Sequence, residues 1–213
     1  MTMKVSVVDF DAGNLLSVQR ALRHCGADVT LAETPGDVLA ADRLVLPGVG
    51  AFASCVAALH KRQLFESVCG FAERVRPFLG ICVGMQMMFD ASDEFGDHAG
   101  LGIIPGRVRR IPSTTHEGGL LKVPHVGWSP LIEPRAGAWS DGILNNTPYG
   151  AEVYFVHSYH GEPLNAEHRL ADCNHGGHSI LAAVRKEHLF GCQFHPEKSG
   201  NVGLQIIRDF LTL

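Results

Sequence analysis

Two hydrophobic rhythms run through the first ninety positions. Short apolar blocks occur at Lys4 to Phe10 (Val5, Val7, Val8), Asp28 to Leu31, Arg43 to Leu46 and Pro77 to Ile81. Such runs, rich in β-branched residues and bounded by turns, predict buried strands. Between them, apolar residues return every three or four positions. Leu15, Val18, Leu22 and Cys25 predict a helix that Gly26 stops, and Asp11-Ala12-Gly13-Asn14 reads as the turn before it. Val56, Leu59, Leu64 and Val68 predict a long helical region from about Ala53 to Arg74, and Met85 to Phe89 is a further helix-forming run. Alternating strands and helices imply a parallel sheet with helices on both faces.

From Gly100 onward the runs shorten and turns become frequent. Ile103–Gly106, Arg107–Ile111, Val153–His157, His168–Cys173, Ile180–Arg185 and Leu189–Phe194 predict a smaller, more antiparallel β layer. Pro112–Gly119 and Glu133–Gly150 read as loops, the second with room for one helical turn at Asp141–Asn145. Neither resembles a linker, so residues 1–213 are expected to form a single domain. A last helix is expected from about Asn201 to Leu211, with Val202, Ile206, Ile207 and Phe210 on its apolar face.

In parallel α/β sheets, functional groups collect at the carboxyl ends of strands. Three loops hold that position: Asp9–Asn14, Pro47–Phe52 and the turn at Cys82. Cys82 is flanked by Gly80 and Gly84, the pattern of a nucleophile elbow, where a sharp strand-to-helix turn leaves little room for a Cβ at i−2 and i+2. A thiol at a helix N-terminus is favoured as thiolate. The competing reading is a buried structural cysteine between two turn glycines. A cysteine nucleophile needs a base and a group to orient it. His195 and Glu197, two apart across Pro196, fit those roles if extended geometry puts both on one side; the alternative is an ordinary surface turn. Gly48, Val49 and Gly50 at a strand end, with the N–H of Val83, are candidate oxyanion donors, although a plain turn also explains the glycines. Gln86, one helical turn after Cys82, is either a helix-surface residue or a substrate contact.

Composition removes several classes. The chain has 213 residues, 46% hydrophobic and 19% charged, enough for a sizeable core. A net charge of −4 without a polybasic block speaks against nucleic acid or an anionic membrane as partner. No apolar run approaches the length of a membrane span, and the N-terminal apolar segment stops at Asp9, unlike a signal peptide. Six cysteines without a C-x-x-C pair point to a reducing, cytoplasmic setting, with Cys25, Cys55 and Cys69 as small hydrophobes in helices. Cys173, His175 and His178 are the one tempting metal cluster, but they lack a second anchored pair and surround a Gly-Gly hairpin tip; no metal is expected.

Together, Gly80-Ile81-Cys82-Val83-Gly84-Met85-Gln86 and Phe194-His195-Pro196-Glu197 resemble the class I (triad-type) glutamine amidotransferases. Gly13–Val18, Leu46–Phe52, Lys122–Trp128, Tyr154–Tyr159 and Gln193–Ser199 are similar to one branch, the glutaminase subunits of imidazole glycerol phosphate synthases, in the same order along the chain. The resemblance implies a flavodoxin-like three-layer α/β sandwich and hydrolysis of L-glutamine, with no cofactor. It makes Cys82 the nucleophile, His195 the acid/base and Glu197 its orienter. It assigns the oxyanion strand to Pro47–Gly50 and glutamine contacts to Gln86, Ser158 and Tyr159. It also implies a heterodimer with a (β/α)8-barrel cyclase, docked on Asn14, Lys122, His125 and Trp128. Three departures touch the interface only: Ser129 where the family suggests Asn, Asp11-Ala12 in place of a more glycine-rich turn, and a long Glu133–Gly150 loop. A cysteine hydrolase needing no partner, or an inactive regulatory subunit, would be the rival readings.

Overall fold

The computed structural model describes residues 3–11 and 13–213. Met1 and Thr2 of the N-terminal segment, and Ala12 of the first turn, lie outside the described residues. The first half runs β1 (Met3–Val8), α1 (Leu15–His24), β2 (Ala27–Ala32), α2 (Pro35–Ala40), β3 (Leu44–Gly48), α3 (Phe52–Lys61), α4 (Phe65–Ala72), β4 (Phe78–Cys82) and α5 (Val83–Met87). The second half adds β5 (Phe89–Ser92), β6 (His98–Ala99), β7 (Ile104–Arg110), β8 (His125–Pro130), β9 (Glu152–His157), β10 (Tyr159–Pro163), β11 (Arg169–His175), β12 (His178–Lys186), β13 (Leu189–Cys192) and α6 (Gly200–Thr212).

Seven strands form the main sheet in the order β11-β12-β13-β4-β3-β1-β2. Neighbours from β13 to β2 are parallel, while β12 and β11 join antiparallel. α1 packs with α6, whereas α2, α3, α4 and α5 contact one another. Helices therefore cover both faces, as right-handed crossovers require when the strand order reverses. The expected mainly parallel three-layer α/β architecture is present. A four-stranded sheet, β10-β7-β5-β6, is antiparallel except where β5 and β7 run parallel, and β8–β9 form an antiparallel two-stranded ribbon.

Several elements depart from expectation for local reasons. The long helix breaks at Gln63, whose φ of +58° is incompatible with an α-helix, giving α3 and α4. α2 shows no apolar periodicity, since it buries only Val38; a capping box between Thr34 and Asp37, with Pro35 at its start, makes it a helix. Phe89 ends up in β5, since α5 stops after five residues. The two runs expected over 103–111 are one strand, β7. β8 and β10 lack an apolar-in, polar-out alternation: in β8 Val126 and Trp128 face solvent while His125 and Ser129 face in, and in β10 the buried residues are the adjacent His160 and Gly161. The 133–150 loop is a series of turns, and the Asp141–Asn145 stretch closes on an Asn145 N–H to Gly142 O bond rather than forming a helix. At the β11–β12 tip, Gly176 and Gly177 have φ of +61° and +88°, as a two-residue hairpin demands.

The elbow depends on backbone-to-backbone packing. A Cβ on Gly84 would lie 1.9 Å from Leu46 O, and one on Gly80 would lie 2.7 Å from Met85 Cα. Both flanking glycines thus answer to sterics, as their spacing suggested. Gly84→Ala is expected to destabilise the fold by at least about 2 kcal/mol, which denaturant unfolding monitored by circular dichroism checks; unchanged stability would refute the packing argument.

Candidate active site

β4 delivers Cys82 at the carboxyl edge of the sheet, where φ +56° and ψ −115° turn the chain into α5. That positive φ is costly for a non-glycine residue, roughly 1–3 kcal/mol, and is sustained only by surrounding structure. Cys82 is 5% exposed and lines a cleft of about 340 Å³, within the size range of small-molecule sites. α5 is a single turn beyond it, so the dipole argument for a thiolate has only that turn to draw on.

The neighbouring strands bring the other groups. Gly48 of β3 pairs in register with Cys82 of β4, which sets Val49 and Gly50 at the cleft rim. Gly50 has φ +96°, and the Cys55 thiol donates to Val49 O at 3.3 Å. Val83 opens α5, so its N–H precedes the first intrahelical hydrogen bond. The Asp9–Asn14 loop reaches the same edge, where the Cβ position of Gly13 lies 3.5 Å from Pro47.

On the other side, β13 pairs Cys192 with Ile81 and ends there. His195 lies three residues beyond, held by its N–H to Tyr154 O at 3.0 Å and by Ser199 Oγ, which donates to His195 O at 2.7 Å. His195 is extended, but Pro196–Lys198 is a 3-10 turn rather than a continued strand. Pro196, with its fixed φ, starts that turn and swings Glu197 back. Glu197 Oε1 accepts from His195 Nδ1 at 2.8 Å, with side chains 3% and 1% exposed. Nε2 of the ring is thereby left for the cleft, which His195 shares with Cys82.

Burial alone would push the His195 imidazole down. Hydrogen bonds and charge from Cys82 and Glu197 outweigh it and raise the pKa to about 9. The same geometry favours a protonated imidazole facing the Cys82 sulfur. Cys192, fully enclosed, has its thiol pushed up by burial and by Glu197, and Cys173 up to about 12, chiefly by burial; both are inert. All six cysteines are free.

Gln86 is 4% exposed, not a helix-surface residue, and lines the cleft. Its Nε2 donates to Tyr159 O at 2.9 Å and to Gln193 Oε1 at 3.0 Å. Ser158 and Tyr159 line the same cleft, at the junction of β9 and β10. Three residues of this region escaped the sequence reading. Gln193 is 0% exposed with Nε2 3.9 Å from Cys82 Sγ; it opens the Gln193–Ser199 stretch as a lone amide in an apolar run, with no role assigned to it. Glu94 lines the cleft and accepts the Phe52 N–H at 2.6 Å without any pattern to mark it, and His157 lines it from β9, inside the Tyr154–Tyr159 stretch but with no role assigned there.

Of the expected docking residues, Lys122 and Trp128 are exposed, Trp128 at 52%, and Asn14 is half-buried before α1. His125 turns inward and is 4% exposed, because alternate residues of β8 face opposite sides. His175 and His178 bond to the carbonyls of Lys122 and Thr114, while Cys173 points into the core, so the three do not converge.

The model of the family described as glutamine amidotransferase class-I matches residues 6–213. Over 210 residues the chain is 49% identical to the imidazole glycerol phosphate synthase subunit HisH 1 of Legionella pneumophila (strain Lens), covering 98% of this chain and 99% of that one. It is 43% identical over 209 residues to the chloroplastic imidazole glycerol phosphate synthase hisHF of Arabidopsis thaliana, covering 97% of this chain and 34% of that one. Among solved structures, PurLQS from Thermotoga maritima aligns with a TM-score of 0.72 at 16% identity, over 100% of this chain and 98% of that chain, a likeness of fold.

Glu197→Gln removes the charge facing His195 Nδ1, so the imidazole pKa is expected to fall below about 9, a shift that NMR titration of the ring checks. The sign of the linked stability follows. A raised histidine pKa stabilises the fold fully below the unfolded value of about 6.5 and loses that contribution as pH rises through about 9. Wild-type stability should therefore decline across that window more than that of Glu197→Gln; identical slopes would contradict the pairing.

Proposed function

This chain belongs to the class-I glutamine amidotransferase family, in the branch of the HisH subunits of imidazole glycerol phosphate synthase, and on that premise we propose that it hydrolyses L-glutamine to supply ammonia. The observation that carries the reading is the buried His195–Glu197 pair beside Cys82, at an elbow opening into a cleft. In this mechanism the Cys82 thiolate attacks the carbon of the side-chain amide. The oxygen becomes an oxyanion, met by backbone N–H groups of Val83 and of the Gly48-Val49-Gly50 strand. The C–N bond then breaks as His195 gives its proton to the leaving nitrogen, producing ammonia and a thioester. Water attacks the thioester, His195 takes its proton, and the C–S bond breaks to release glutamate and the thiolate. Glu197 keeps the ring oriented throughout. Gln86, Ser158 and Tyr159 shape the amide end of the substrate site, and Glu94 offers a carboxylate for its α-ammonium.

Ammonia at neutral pH is mostly protonated and no longer nucleophilic. Its production is useful when it passes to an acceptor without meeting bulk water. We assign that acceptor to a separate (β/α)8-barrel cyclase subunit in a cytoplasmic heterodimer of histidine biosynthesis, yielding imidazole glycerol phosphate and an aminoimidazole carboxamide ribotide. Two features support a partner. In the Arabidopsis relative the matching region occupies 34% of a longer chain named hisHF. On this chain, the outer face of the β8–β9 ribbon presents Val126, Trp128 and Val156, which are 52%, 52% and 38% exposed. Asn14 and Lys122 would join Trp128 in that contact, on a single domain spanning residues 1–213.

A glutamine-like diazo-ketone should form one adduct, on Cys82, detected by mass spectrometry and lost in Cys82→Ala. No adduct even with the cyclase present would discredit the reading. Glutaminase turnover is expected to be weak for the chain alone and strong once the cyclase and its ligand are added; full activity in isolation would refute dependence on the partner.

A further inference from the structure

Tyr159 joins the cleft to a buried row of histidines that the chemistry above leaves unused. Its carbonyl oxygen accepts two hydrogen bonds, from Gln86 Nε2 at 2.9 Å and from His157 Nδ1 at 2.9 Å. A carbonyl only accepts, so His157 carries a proton on Nδ1. Burial pushes the His157 pKa down to about 3, with His125, His160 and His175 adding to the effect and the Tyr159 carbonyl opposing it. The ring is neutral and its Nε2 is bare. That nitrogen faces His125 Nδ1 at 3.2 Å, which must therefore be the donor. Burial and His175 hold His125 down at about 4, so its own Nε2 is bare and accepts from Ser129 Oγ at 2.9 Å. Each proton in this row has one allowed place.

At the other end, the second Nε2 hydrogen of Gln86 goes to Gln193 Oε1 at 3.0 Å. That fixes the Gln193 amide so that its Nε2 faces Cys82 Sγ at 3.9 Å. The row thus runs without a gap from Ser129 on β8, through His125, His157, the Tyr159 carbonyl, Gln86 and Gln193, to the sulfur. Stacking holds the middle of it. The His125 ring lies 4.8 Å from that of Phe155 and 4.2 Å from that of His175, at 20° and 26°.

The ribbon gives this row a lever. His125, Ser129, Phe155 and His157 face inward, while Val126, Trp128 and Val156 alternate with them and face out. A displacement of the ribbon by a load on its outer face moves the inner row with it. Because the row is buried and fully bonded, it responds as a unit, and losing one member strands a buried donor or acceptor. We propose that His125 and His157 are positioning residues that transmit the setting of the β8–β9 ribbon, through the Tyr159 carbonyl, to Gln86 and Gln193 and so to Cys82. The source of the load, a partner on the ribbon, rests on the function proposed above; the connection to Cys82 does not.

The test uses the full chain and reads Cys82 without glutamine turnover, as the rate of its alkylation by iodoacetamide. His157→Phe removes both bonds of the ring, whereas His157→Asn keeps a donor for the Tyr159 carbonyl. His157→Phe is expected to slow alkylation, and kcat for glutamine, by about tenfold with KM changed less than about threefold. His157→Asn should recover most of both rates. In the assembled enzyme, His125→Phe should cut the stimulation by the cyclase about fivefold. A purely structural role would lower the melting temperature and leave both rates per folded molecule unchanged, and that result for His157→Phe overturns the inference. Should that variant not fold, 15N NMR of the unaltered chain decides. Nδ1-protonated neutral rings at both positions from pH 6 to 9 support the row; an Nε2–H tautomer on either, or titration within that range, overturns it. A wild-type chain alkylated at Cys82 yet unable to hydrolyse glutamine with its cyclase counts against the proposed function alone, since the alkylation comparison still judges the row.

Discussion

The close approach of β3 to the first turn of α5 sets the position of everything else at the site. Leu46 O and the Gly48 backbone lie so near Gly84 that a Cβ on Gly84 would overlap the carbonyl, at 1.9 Å, and one on Gly48 would come within 2.7 Å of Gly84 N. This contact lets Cys82 occupy φ +56°, because the strand before it and the helix after it are both clamped by neighbours. Strain of that kind persists only where the surroundings over-determine it. The same contact places Gly48 beside Cys82 in register, and with it the strand that carries Val49 and Gly50. The position of the sulfur and that of the Gly48-Val49-Gly50 backbone beside it thus follow from one packing constraint.

Charge organises the opposite wall. His195 and Glu197 are almost wholly enclosed, so their interaction is little screened, and the proton on the imidazole is held to about 9 despite the cost of burial. What anchors them is not the sheet itself but the bonds from Ser199 and Tyr154 that fix the loop after β13. Burial beside Cys82 and a carboxylate gives a protonated histidine here, whereas burial without such partners keeps His157, on the wall of the same cleft, and His125 behind it neutral. One residue type is therefore held protonated in one setting and neutral in another, and the neighbours decide which.

Much of this was legible in the sequence. The alternating apolar blocks and helical spacings announced the parallel sheet, and glycines at 80 and 84 announced the elbow. Those signals survive in one dimension because each reflects a local requirement: a strand's burial, a helix's face, a backbone with no room for a Cβ. Local signals also misled. The long helix read over 53–74 was cut by Gln63, and extended geometry was the wrong route from His195 to Glu197, which meet through a 3-10 turn. α2 depends on a capping box rather than on periodicity, so the apolar pattern could not reveal it.

By itself, then, the sequence determined the α/β class, the elbow cysteine and a histidine–glutamate pair of suitable spacing, since these are written in residue types and short separations. Only the tertiary structure decided that Gln193 meets the sulfur, that Glu94 enters the cleft, and that His125 faces inward to His157 while Trp128 faces out. The physical reason is that such contacts join residues 32 to 111 positions apart. Strand order and register bring those residues together, and no run of neighbouring side chains records that.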